Sequence, residues 1–122
     1  MKNRKLKEHF LNPKNMGVIK NPSYQSTAMS DTCSDLVKMM VIIDDKGVIE
    51  NIKTEVFGCG YSISGTSLFT EIAMGKKAEE VTALTQKAAS QIDPDIPEKH
   101  KSCIRLPQKA FNKIYKEYRA KG

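Results

Sequence analysis

The chain has 122 residues, a net charge of +6 and a hydrophobic fraction of 39%, which fits one globular domain over residues 1–122 and not a disordered chain. No apolar run approaches the ~20 residues that cross a membrane. The basic opening MKNRKLKEHF lacks the apolar stretch of a secretory signal, and the scattered lysines lack the aromatic–basic interleaving of a nucleic-acid platform, so a cytoplasmic protein with no membrane or nucleic-acid partner is expected.

Residues 2 to 11 read as a short helix, with Leu6, Phe10 and Leu11 spaced to share one face and His9 left at the surface. NPKNMG ends it, because Asn12 precedes a proline and Gly17 permits a turn. From Val18 to Ser30 the chain is polar and reads as loop leading into a short strand. Residues 36–43, LVKMMVII, and 48–57, VIENIKTEVF, flank the turn signal DDKG and read as a β-hairpin. The first of these is apolar almost throughout and belongs centrally. In the second, Val48, Ile52 and Val56 mark one face of a half-buried strand.

After Gly60 the period becomes helical, through Ile63, Ser67, Leu68, Ile72 and Ala73, until Gly75 stops it. KKAEEVTALTQKAASQI reads as one or two helices broken by DPDIP. A last helix opens between Cys103 and Pro107, with Leu106, Ala110, Phe111, Ile114, Tyr115 and Tyr118 on one stripe. Strands grouped first and helices later predict an α+β fold, a small antiparallel sheet of about three strands covered by helices.

The three cysteines, Cys33, Cys59 and Cys103, are an odd, widely spread set, which suits neither a disulfide framework nor paired zinc-finger spacing. All three fall at element junctions, and pairing of the hairpin brings Cys33 and Cys59 toward one sheet edge. Cys59 stands between Gly58 and Gly60, whose missing side chains permit close backbone approach and leave the sulfur unshielded. A helix N-terminus behind it favours thiolate. Asp35 follows Cys33 by two, on the same face if the segment is extended. Three thiols and a carboxylate suit zinc, or an iron–sulfur cluster that an oxygen ligand makes easier to release. His100, three residues before Cys103, offers a further ligand or proton shuttle; a solvated role beside Lys99 and Lys101 fits it at least as well.

Four stretches in this order, EHFLNPKNMG, TCSD, FGCGYSISGTSLFTEIAMGK and IPEKHKSCIRLPQKAFNKI, are similar to the U-type iron–sulfur cluster assembly scaffold family, the IscU/NifU N-terminal domain. The resemblance implies a scaffold, not an enzyme with turnover. Cys33, Cys59 and Cys103 would hold a transient [2Fe–2S] cluster, or zinc in its place, and Asp35 would match the family aspartate that keeps the cluster labile. A cysteine desulfurase would deliver sulfur as persulfide, to Cys103 above all, and the cluster would pass to acceptor apoproteins.

Two departures stand out. Of the family's Leu-Pro-Pro-Val-Lys segment only Pro97 is retained at residues 96–100, which argues against partnership with the dedicated DnaK-like chaperone. Where the family has a histidine directly before its third cysteine, this chain has Ser102. A related branch, the SufU-type zinc-dependent sulfurtransferases, also lacks that histidine, and implies the alternative role of a sulfur acceptor that stimulates a desulfurase.

Overall fold

The computed structural model describes residues 1–31 and 34–121. Helix α1, Arg4–Leu11, is capped by Asn3, whose side chain accepts the Leu6 N–H at 3.1 Å. Three antiparallel strands follow, β1 Tyr24–Met29, β2 Leu36–Ile43 and β3 Ile49–Phe57, in the order β1-β2-β3. The apolar strand is central, as its composition predicts. The turn between β2 and β3 forms because Asp44 Oδ1 accepts the N–H groups of Lys46 and Val48 at 2.9 Å each, while Gly47 takes a φ of 81°.

The simple alternation expected along β3 breaks near its start. Ile42 pairs with Asn51 but Ile43 pairs with Ile49, leaving Glu50 as an extra residue in a bulge. The bulge shifts the phase, so Ile49 and Ile52 are both fully buried despite their odd spacing.

Helix α2, Gly60–Ala73, runs back from the end of β3, and α3, Ala78–Ile92, forms as one continuous helix. DPDIP does not simply break the chain: Asp93–Asp95 forms a 3₁₀ turn, a second spans Glu98–His100, and a one-turn helix, α4 Lys101–Ile104, precedes α5, Leu106–Lys121. Cys103 therefore sits inside α4 and not at the mouth of the last helix. The main core joins Val37, Met39 and Val41 of β2 to Phe69 of α2 and to Phe111 and Ile114 of α5.

Both sheet edges are covered. Lys109 and Lys113 of α5 donate to the carbonyls of Met29 and Thr27 on β1, at 2.9 and 2.7 Å. Beside β3, Thr54 exchanges hydrogen bonds with Asn15 and Gly17, and Ile49 with Lys76 and Gly75. These contacts occupy part of the polar row that each edge would otherwise offer to another strand.

The face expected of α1 is different in detail. Leu6 is fully buried, but Phe10 and Leu11 are exposed, and His9 is buried. His9 Nδ1 lies 2.6 Å from Ser67 Oγ, which also accepts the Lys14 N–H at 2.7 Å. A polar partner on α2 draws the histidine inward where the apolar period alone would leave it outside.

Candidate functional site

The end of β3 delivers the chain into α2 through Gly58, Cys59 and Gly60. Cys59 is the N-cap residue, extended at φ −78° and ψ 172°, and its own side chain caps nothing. Asp35 supplies the cap from the approach to β2: its Oδ2 accepts the Cys59 N–H at 3.3 Å and the hydroxyl of Ser62 through a short hydrogen bond. A carboxylate suits this place, since helix N-termini present unpaired N–H groups and a partial positive charge.

That arrangement explains the two glycines. Neither has a positive φ, so backbone freedom is not what the positions require. A Cβ on Gly58 would stand 2.5 Å from Asp35 Cγ and 2.7 Å from Oδ2. On Gly60 it would meet the Phe10 ring at 3.1 Å. The space that the sequence suggests for a bound group is filled on these two sides by the chain's own Asp35 and Phe10.

Asp35 is only 8% exposed. Burial works against its charge and would raise its pKa. Hydrogen bonds from the Ser62 hydroxyl, the Cys59 amide and the Cys59 and Cys103 thiols outweigh this and hold the carboxyl below its ordinary range.

The second wall comes from residues 98–104. His100 closes the 3₁₀ turn Glu98–His100 and is the N-cap of α4, which holds Cys103, and residues three apart on a helix are neighbours on one face. His100 Nδ1 lies 3.8 Å from Cys59 Sγ and 4.0 Å from Cys103 Sγ. Ligand atoms of Cys59, His100 and Cys103 all fall within 4.8 Å of one another. The imidazole is held by Tyr61, stacked on it at 4.5 Å between centroids and 25° between planes. Lys101 is tied to Asp93 and Glu98, and Arg105 to Asp93, at 3.2–3.3 Å, which fixes the turn from outside. The Lys101 ammonium beside Asp93 lowers that carboxyl's pKa, and Lys101's own is raised in return.

His100 thus stands beside both thiols and not in the solvated position that its flanking lysines suggest. The signal in the sequence is its spacing of three from Cys103, which puts both on one face once α4 is known to start at residue 101. Ser102 Oγ lies 3.4 Å from that of Ser30. Cys33 lies outside the described residues, so its expected place at this edge rests on the sequence. Ser62, which engages Asp35 and lies 3.8 Å from Cys59 Sγ, carries no sequence signal of its role.

Two sulfurs, an imidazole and a nearby carboxylate form a donor set suited to zinc or to iron–sulfur chemistry. A groove of about 470 Å³, lined by Met1, Phe10, Leu11, Cys59, Tyr61 and His100 among others, leads to it. Cys59 is half-buried there, while Cys103 beneath is fully buried. No helix among the described residues is long and apolar enough to cross a membrane.

The chain is similar to known proteins over nearly its whole length. The family model described as NifU-like N terminal domain matches residues 1–122. The iron–sulfur cluster assembly scaffold protein IscU of Haemophilus influenzae is 32% identical over 120 residues, which cover 96% of this chain and 94% of that protein. A nitrogen-fixing NifU-like protein (N-terminal) from Brucella abortus has a TM-score of 0.81 at 17% identity, covering 98% of this chain and 95% of that one. A Fervidobacterium islandicum protein assigned as a SUF-system scaffold has a TM-score of 0.75 at 19% identity, covering 90% and 93%. At such identities these two structures speak for the fold.

Proposed function

The chain belongs to the NifU-like N-terminal domain family, and from that premise we propose that residues 1–122 act as one scaffold domain for iron–sulfur cluster assembly. The observation that carries the reading is the meeting of Cys59, His100 and Cys103 within 4.8 Å, beside Asp35 and at the foot of a groove.

In this reading Cys33 joins Cys59 and Cys103 as ligands of a transient [2Fe–2S] cluster, the protein's cargo. Asp35 is the oxygen ligand that keeps that cargo releasable, and His100 is a further candidate ligand. A cysteine desulfurase supplies sulfur. The Cys103 thiolate attacks the outer sulfur of the desulfurase persulfide, the new S–S bond forms on Cys103, and the desulfurase thiolate leaves. Since Cys103 has no exposed surface, this step requires the turn that carries His100 to move. The finished cluster passes to acceptor apoproteins in the cytoplasm.

The second reading is a zinc-dependent sulfur acceptor. The Cys-His-Cys set favours it, because two thiolates and an imidazole also suit tetrahedral zinc. Anaerobic reconstitution with a cysteine desulfurase, cysteine and ferrous iron, followed by addition of an apo-ferredoxin, separates the two. Visible absorption that appears and then moves to the ferredoxin supports the scaffold, and Asp35→Ala should then slow the transfer. Colourless protein that keeps zinc while carrying persulfide overturns the scaffold in favour of the relay.

A further inference from the structure

We propose that Ser62 is a positioning residue that holds Asp35 in the cap of α2 and so limits the grip of that carboxylate on a metal at the thiols. The inference deepens the scaffold reading and rests on it.

Ser62 is fully buried in the first turn of α2. Its hydroxyl donates to Asp35 Oδ2, the same oxygen that accepts the Cys59 N–H at 3.3 Å. Two donors fill the lone pairs that a carboxylate oxygen offers in its plane. A metal bound by Cys59 and Cys103 therefore competes with the cap for Oδ2, and finds only Oδ1 free of these two donors. Gly58 closes the trap: Asp35 is packed against it so tightly that a Cβ would overlap the carboxylate. Of the two donors, the Cys59 amide is fixed by the backbone. The Ser62 hydroxyl is the donor that a side-chain change removes.

Removing it frees Oδ2 from one of its two competitors. A hydrogen bond to a charged group typically carries enough free energy for about a tenfold change in an equilibrium. Ser62→Ala should therefore bind zinc about tenfold more tightly than the unmodified chain. In an Asp35→Ala background the same substitution should change nothing.

The test is a zinc titration against a competing chelator on the full chain, in four forms: unmodified, Ser62→Ala, Asp35→Ala and the double variant. Cobalt(II) spectra of each report the ligands directly. Ser62→Ala should keep the thiolate-to-cobalt charge-transfer intensity and shift the d–d bands, and Ser62→Thr, which keeps the hydroxyl, should bind zinc as the unmodified chain does. Unchanged zinc affinity in Ser62→Ala, or a change that persists without Asp35, overturns the proposal. So does a change of the same size in Ser62→Thr, which would assign the effect to packing. If the unmodified chain binds neither zinc nor a cluster, the scaffold reading falls and the inference with it. If it binds both and Ser62→Ala is silent, the inference alone falls.

Discussion

Helices α2 and α5 are of similar length, 14 and 16 residues, and both pack on the sheet, yet opposite chemistries bury them. The buried face of α5 is an apolar stripe of Leu106, Ala110, Phe111 and Ile114. Around α2 the fully buried residues include Ser62, Ser64, Thr66, Ser67 and Thr70. It touches α1, β3, α3, α4 and α5, so little of it faces water, and Glu71 is its one exposed residue. Small residues let the neighbours in: a Cβ on Gly65 would lie 3.1 Å from the Ile104 carbonyl oxygen. Each hydroxyl then needs a partner. Ser64 donates to the Gly60 carbonyl and Thr70 to that of Ser67, while Ser67 meets His9 and Lys14. Apolar burial is non-directional and gives α5 stability; hydrogen bonds are directional and give α2 position. The site is built on the helix whose burial fixes geometry.

The contrast breaks most visibly at Phe111. It is 1% exposed in the main core, so Phe111→Ala should lower the unfolding free energy by about 3–5 kcal/mol, measured by urea denaturation. Zinc binding by the molecules that remain folded should be intact. A variant that keeps its stability, or one that folds but no longer binds zinc, would show that α5 also positions the site.

The same contrast governs what the sequence discloses. The stripe of α5 is readable from period alone, and its four deepest residues are those the period selects. On α2 the period selects Ser67, Leu68 and Ala73, which are buried, but also Ile63 and Ile72, which are only half-buried, and it passes over Ser62, Ser64 and Thr66, which are fully buried. A hydroxyl carries no apolar signal, so burial satisfied by hydrogen bonds is invisible to hydrophobic patterning. His9 is missed for the same reason, since what draws it in is Ser67, 58 residues away. The bounds of β2 and the position of Cys59 at a helix start are local matters and are legible. The approach of His100 to the thiols depends on a 3₁₀ turn that no local pattern announces.

Thr66 sharpens the comparison. Its Oγ1 is the buried side-chain polar atom without a hydrogen-bond partner among the described residues. Thr66→Val keeps the shape and removes an unsatisfied group, so it should raise stability by about 1 kcal/mol in the same urea experiment. A loss of that size would mean that the hydroxyl is satisfied after all, and that α2 holds no slack.

The smallest effect expected is a pH dependence confined to the α1–α2 contact. Burial lowers the pKa of His9 from 6.5, and the Glu71 carboxylate, 3.6 Å from Nε2, offsets part of this. Lys5 and Lys14 add to the depression, and Glu8 opposes it. The unfolded chain takes up its proton near the ordinary value of 6.5, and the folded chain only below it. Between the two the unfolded state holds more protons, so stability rises with pH. The contribution is fully present above the unfolded value and is lost as pH falls through the lowered folded one. Urea midpoints taken from about pH 5 to about 7.5 should fall toward acid, and in His9→Asn that slope should shrink. An equal slope in the variant would move the titration to another group. The buried stripe of α5 holds no titratable side chain, so this acid sensitivity belongs to the helix that depends on polar partners, and it should loosen α1 from α2 before it reaches the apolar core.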